Sequence, residues 1–450
     1  MDTRDEPIGR DAPTPPETAA LAREATELLQ RLIRFQTVNP PGNERALQEH
    51  LASLLTEAGF QCELLGATPE RPNLIARLGP GGGPTLGYLG HVDTVLADAG
   101  EWRHGPFSGD IADGFLWGRG ALDMKSQVAA EVAAALALAR SGWRPARGEL
   151  LVVTLVDEET GGELGAEWIT QTHPEKVRCD MIVNEGGGGF FEYRGKRHYG
   201  VCCAEKGVFR FTVSTEGIAG HASMPKMGEN ALLKLAPVLE RLARSQPSYA
   251  LDPGGGGAAF LRGIGEDPED PAGAVARMQA TDERLVRVFE PMLGVTLTPT
   301  KIGASEKINV IPSHAELRID CRVPPGLGEE TVREGIREVL GEGDFQIEFT
   351  ERVVGNASPI ESGLMETIAE WVAERDPGAK VVPVILPGFT DSRSFRQAFP
   401  ECVAYGFFPQ RHQSLFEGMP LIHGADERID IRDLGFAAEF FRDLALRVLG

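Results

Sequence analysis

The sequence predicts an α/β fold with a mainly parallel sheet, interrupted by a smaller α+β domain of ferredoxin-like order. Three observations point there. Apolar, strand-like runs alternate with helical stretches up to about Gly207, the pattern of a layered α/β domain. Beyond Gly207 the pattern becomes strand–helix–strand–strand–helix–strand, the order of a ferredoxin-like unit. The chain has 450 residues, enough for two or three domains at roughly 150 residues each.

The elements follow in order. Leu21, Ala25, Leu28, Leu29 and Leu32 recur at helical spacing between Pro16 and Phe35. Pro40, Pro41 and Gly42 break that helix, and a second amphipathic helix covers Glu44 to Ala58. Asn73 to Leu78 and Thr85 to Leu89 flank GPGGGP and read as strands joined by a turn. An alanine-rich helix spans Ser126 to Ser141. Glu149 to Val156, ELLVVTLV, is a run suited to a strand buried on both faces. Leu164 to Gln171 is helical, and Met181 to Asn184 is another buried strand.

In the second region Val208 to Ser214 alternates as a half-buried strand, and Glu229 to Ser245 is a helix. Pro247 to Pro271 is rich in Gly, Pro and acid and reads as a long loop. Strands near Lys301 to Val310 and Ala315 to Val323 precede a helix at Glu329 to Leu340 and a strand at Gln346 to Val353. Gly363 to Glu374 opens a final α/β stretch. The expected domains are a disordered arm at 1–16, a first catalytic part at 17–206, an inserted domain at 207–355 and a second catalytic part at 356–450. The inserted domain is enlarged at about 247–293.

Lys plus Arg total 45 against 66 Asp plus Glu, a formal charge of −21. That excludes a nucleic-acid or anionic-membrane partner, which needs basic patches. No run reaches the roughly 18 apolar residues of a membrane span. Six cysteines without a paired framework fit a reduced, cytoplasmic compartment.

Potential ligands fall just past strand ends, where α/β sheets place their sites. PTLGYLG ends at His91, followed by Asp93; LLVVTLV ends at Asp157, Glu158 and Glu159; MIVN ends at Glu185. The turn GRGALDMK carries Asp123 ahead of a helix, and LIHGADERI carries His423. Imidazoles and carboxylates gathered at one sheet edge suit a divalent ion such as Zn²⁺. Each alone is an ordinary turn former, cap or solvated acid. His50, His104, His173, His198 and His314 read as surface or structural residues.

Several motifs in fixed order make a resemblance specific. GHVDTV is followed by Trp102, Pro106 and Phe107, then GRGALDMK, DEETGG, GHAS at Gly220 to Ser223, NVIP at Asn309 to Pro312, GFTDSR at Gly388 to Arg393 and HGADERI. Together they resemble the metallopeptidase M20 family of deacylases, desuccinylases and carboxypeptidases. The resemblance implies a zinc-hydrolase catalytic domain and a lid and dimerisation domain. It implies two Zn²⁺ (Co²⁺ or Mn²⁺ possible), with His91 and Glu185 on the first ion, Glu159 and His423 on the second and Asp123 bridging, with a cis peptide after Asp123. Asp93 would orient His91, Glu158 would be the general base, and His221 would serve the active site of a partner subunit in a homodimer. Arg322, Asn309, Gly388 and Thr390 would contact the substrate. The implied reaction is amide cleavage in N-acyl amino acids or small peptides with a free carboxylate. A dipeptidase or aminopeptidase with the same site is the nearest alternative. A catalytically silent binding protein should have lost Glu158, a ligand or His221, and all are present. Phe389 stands where the family more often has glycine, which reshapes the pocket.

Overall fold

The computed structural model describes residues 16–450. The arm expected at 1–16 lies outside the described residues, except Pro16, which opens the first helix. The chain forms two compact units. One comprises the described residues up to Phe191 together with Phe408–Gly450, and the other is Glu192–Phe407.

In the first unit five strands lie in the order Gln61–Leu65, Asn73–Gly81, Gly148–Leu155, Thr85–His91, Met181–Asn184. Thr85–His91 runs parallel to both its neighbours, whereas Asn73–Gly81 is antiparallel to both of its own. The sheet is therefore mixed, which corrects the expectation of a mainly parallel one. The GPGGGP turn is the cause. Its flanking strands do not pair with each other, because Gly148–Leu155 lies between them. That strand is apolar apart from Glu149 and Thr154, and Leu150 to Val153 and Leu155 are all buried.

Helices Pro16–Arg34, Lys125–Arg140 and Ile431–Leu449 pack against one another. The predicted stripe Leu21, Ala25, Leu28, Leu29, Leu32 is buried. The alanines of Lys125–Arg140 keep that helix slim enough to lie directly on the sheet. A Cβ at Gly90 would stand 2.8 Å from Val128 Cγ2, so the residue before His91 has no room for a side chain.

In the second unit one sheet has the order Ser248–Tyr249, Gly294–Gly303, His314–Val323, Phe211–Glu216, Gln346–Phe349, with every neighbouring pair antiparallel. Phe211, Val213, Val238, Leu317, Ile319, Val332 and Ile336 form its core. The strand expected at Lys301 to Val310 runs instead over Gly294–Gly303, because its partners are residues 316–322. The segment that follows, up to Asn309, is exposed.

The stretch from Pro247 was expected to be loop. It contains helix Gly256–Ile264, and Pro271–Thr281 and Glu283–Phe289 follow. The acids that suggested a loop order these helices. Asp252 accepts from the N–H groups of Gly256 (2.8 Å) and Gly257 (2.7 Å), and Asp270 and Asp282 cap the next two helices. Helix Gly256–Ile264 packs on strand Lys380–Leu386 of the same unit, which pairs in parallel with Lys196–Glu205. None of the six cysteines is in a disulfide. No helix among the described residues is long and apolar enough to cross a membrane.

Candidate metal centre

The three parallel strands of the first unit end side by side and deliver His91, the 157–160 turn and Glu185 to one edge. Asp157 ends the strand Gly148–Leu155 region in the left-handed conformation, φ 72°. A tight turn follows over Glu158–Thr160. In a continuing strand Glu158 and Glu159 would face opposite ways. Here the reversal lets both backbone N–H groups donate to one carboxylate, Asp93: Glu158 to Oδ1 and Glu159 to Oδ2, each at 3.2 Å.

Asp123 is the hub. Its Oδ1 lies 3.1 Å from His91 Nε2, and its Oδ2 lies 3.1 Å from His423 Nε2. The peptide from Asp123 to Met124 is cis. His423 Nε2 also lies 3.2 Å from Glu159 Oε2. His91 Nε2 is 3.8 Å from Glu185 Oε1 and 3.9 Å from Glu158 Oε2. Two groups of ligand atoms are close enough to hold an ion: His91, Glu158 and Glu185, and His91, Asp123 and Glu159. Two imidazoles among carboxylates form the nitrogen and oxygen donor set that suits zinc and its neighbours.

The electrostatics match. Burial would lower His91, but hydrogen bonds to Asp123, Asp93 and Glu185 outweigh it and hold the imidazole well above its ordinary pKa. Burial would raise Asp123, but His423 and His91 pull it below the usual carboxylate range. Glu185 is pushed up to about 7, first by burial. His423 is drawn up to about 10 by hydrogen bonds to Asp123 and Glu159. Both imidazoles thus hold protons against the surrounding carboxylates, and a cation entering between them must displace those protons.

His91 Nδ1 lies nearer the backbone carbonyl of Asp93, 3.1 Å, than its carboxylate, 3.5 Å. The Asp93 carboxylate instead serves the 158–159 turn and accepts from Asn39 Nδ2 at 2.9 Å. Asn39, Arg71, Glu44, Arg119 and Glu427 also position the centre and were not singled out from the sequence. Asp157 accepts from Asn39, Thr160, the Leu164 N–H and Arg71, the last at 2.9 Å, and Arg71 in turn pairs with the buried Glu44. Glu427, fully buried, accepts from the N–H groups of Gly120, Leu122 and Asp123 and from Arg119. Burial pushes its carboxyl up to about 7.

The remaining predicted residues belong to the second unit. His221 is exposed on a two-residue strand opposite Val310, and the N–H of Ala222 donates to the Asn309 carbonyl at 3.1 Å. His221 Nδ1 lies 2.9 Å from Ser223 Oγ. Arg322 donates to Asp320 at 2.8 Å and to the Pro387 carbonyl at 3.1 Å. Thr390 is held by its N–H and hydroxyl on the buried Glu205, and a Cβ at Gly388 would meet nothing within 4 Å.

A mixed α/β sheet with His91 and carboxylates at its strand ends, joined by Asp123 from a turn and His423 from a loop, fits a metallohydrolase class of site. The chain belongs to peptidase family M20/M25/M40, whose sequence model matches residues 87–447. It is a peptidase or amidohydrolase of that family. It is 35% identical over 425 residues to a succinyl-diaminopimelate desuccinylase of Methylorubrum populi, covering 90% of this chain and 94% of the relative. It is 27% identical over 410 residues to one of Cereibacter sphaeroides, covering 90% and 93%. An M20 family metallo-carboxypeptidase from Sulfolobus solfataricus has a similar fold, with TM-score 0.65 at 16% identity over 95% of this chain and 99% of that one. Human carnosine dipeptidase 1 gives 0.63 at 16%, over 96% and 100%.

Proposed function

We propose that this protein hydrolyses the amide bond of N-acyl amino acids or small peptides bearing a free carboxylate, using two bound divalent cations. Zinc fits the donors best, with Co²⁺ or Mn²⁺ as substitutes. The observation that carries this reading is Asp123, with one oxygen 3.1 Å from each of two different imidazoles. His91, Asp123 and Glu185 would hold one cation, and Asp123, Glu159 and His423 the other. A Bacillus subtilis protein of similar fold, TM-score 0.55, is described as a dinuclear metal binding peptidase of the M20 family, which supports a pair. Such a pair supplies a polarised carbonyl and a water acidified toward neutrality.

The chain's own groups supply the rest. Glu158, whose Oε2 lies 3.9 Å from His91 Nε2, takes a proton from the attacking water and returns it to the leaving amine. His221 donates to the oxygen that becomes negative in the transition state, and it does so in the active site of a second copy. Arg322 takes the substrate carboxylate, sharing its guanidinium with Asp320, while Asn309, Gly388 and Thr390 form the pocket rim. The six-stranded antiparallel sheet of the second unit, with its helices, is the ferredoxin-like lid and dimerisation domain of this reading. Asp93 keeps the 158–159 turn and the His91 ring in register.

Relatives that are desuccinylases favour an N-acyl amino acid over a dipeptide. The test is a hydrolysis screen of N-acyl amino acids against dipeptides with free amines, in Zn²⁺, Co²⁺ and Mn²⁺. The expected result is metal-dependent release of the amino acid from N-acyl substrates. Cleavage confined to free-amine dipeptides would shift the assignment to a dipeptidase, and no cleavage with metal bound would favour a silent binding protein.

A further inference from the structure

We propose that Glu427 and Arg119 form a clamp that holds the Asp123 turn and the His423 loop in one geometry, and thereby sets the affinity of the cation position those two ligands share. The proposal rests on the two-cation reading above. Its residues touch none of the reacting atoms, so they are positioning residues.

Each oxygen of Glu427 has two donors. Oε1 accepts from the N–H groups of Leu122 (2.6 Å) and Asp123 (3.0 Å). Oε2 accepts from the N–H of Gly120 (3.1 Å) and from Arg119 (2.6 Å). The Glu427 carbonyl accepts from the N–H of Gly118 at 2.9 Å. One residue therefore ties down most of the turn that presents Asp123. Glu427 also follows His423 by four positions, so its anchorage fixes the loop that presents the histidine. Arg119 closes the ring from the other side. Its guanidinium is 3% exposed, donates to the His423 carbonyl at 3.3 Å and to the Leu96 carbonyl at 3.1 Å, and stacks on Trp102 at 5.3 Å.

The loop needs such an anchor. His423 itself has φ 61° and its side chain is 53% exposed, so its own packing does little to hold it. Left-handed backbone at a non-glycine residue persists where the surroundings enforce it. His91 and Glu185 end or follow strands of the sheet, and Glu159 is held by Asp93. Loss of the clamp should therefore weaken the position of Asp123, Glu159 and His423 most, and that of His91, Asp123 and Glu185 less, because Asp123 is shared while His91 and Glu185 stay fixed at their strand ends. Partners that orient metal ligands are typically worth about 10–100-fold in affinity.

The two variants act differently on the clamp. In Glu427→Gln the amide nitrogen meets a donor, Arg119 or a backbone N–H, in either orientation. Arg119→Lys keeps a charge for Glu427 but cannot also reach the His423 carbonyl. The experiment titrates the full-length metal-free protein with Zn²⁺ by calorimetry and counts bound ions after dialysis. It adds the melting temperature of the metal-free form, and kcat and KM at limiting and excess Zn²⁺. Wild type should take up two ions. Glu427→Gln should bind one ion about 10–100-fold more weakly and the other with a smaller loss, with excess Zn²⁺ restoring kcat and KM unchanged. If Glu427→Gln does not fold, Arg119→Lys must show the same selective loss. Wild type that binds a single ion overturns the two-cation reading and the clamp's selectivity with it. Wild type that binds two, with variants that weaken neither ion or both equally, overturns the clamp alone.

Discussion

At the scale of single residues, burial decides what a charged group does. Glu131 lies in the middle of helix Lys125–Arg140, fully buried. Its Oε1 accepts from Gln127 Nε2 at 2.9 Å, and among the described residues Oε2 has no partner. Burial therefore raises its pKa well above the ordinary value, and the folded protein favours the neutral acid. The sign follows from linkage. A carboxyl raised on folding contributes stability below its unfolded pKa of about 4.3, and that stability is lost as pH rises, by at most about 1.4 kcal/mol per pH unit. Glu131→Gln is neutral at every pH. It should match wild type in denaturant unfolding near pH 4 and be more stable at pH 7 to 8. An advantage that does not grow with pH would show that Glu131 is ionised in the fold.

At the scale of elements, spacing revealed strands and helices but not their partners. ELLVVTLV read as a buried strand because it is apolar apart from Glu149 and Thr154, yet nothing local says that it separates Asn73–Gly81 from Thr85–His91. Asp252 looked like loop composition and is instead a helix cap. The segment around His221 carries its own message. Ile218, Met224, Met227 and Leu233 are exposed there, and Ile308, two residues before the pairing partner Val310, is fully exposed. In the proposed reading, the second copy that receives His221 would cover this apolar surface. His221→Ala and Glu158→Ala subunits should each be inactive and regain partial activity when mixed. No recovery after verified subunit exchange contradicts sharing.

At the scale of the whole molecule, the −21 charge is only partly explained by the centre. Two divalent ions would bring it to −17, and the rest lies outside the chemistry. His91, Asp123, Glu158, Glu159, Glu185 and His423 were legible because they stand at strand ends and in ordered motifs. Glu427, Arg119, Asn39 and Arg71 were not. DERI reads locally as a helix start, while the amides that Glu427 caps lie far away in sequence. A carboxylate that holds a distant backbone leaves no periodic signal.

The central claim is metal-assisted amide hydrolysis with Glu158 moving the proton. The most direct test is Glu158→Gln, assayed on an N-acyl amino acid with bound metal counted on the same sample. The account predicts at least about a 100-fold loss of kcat with the wild-type number of ions retained. Near wild-type turnover with full metal content would contradict it.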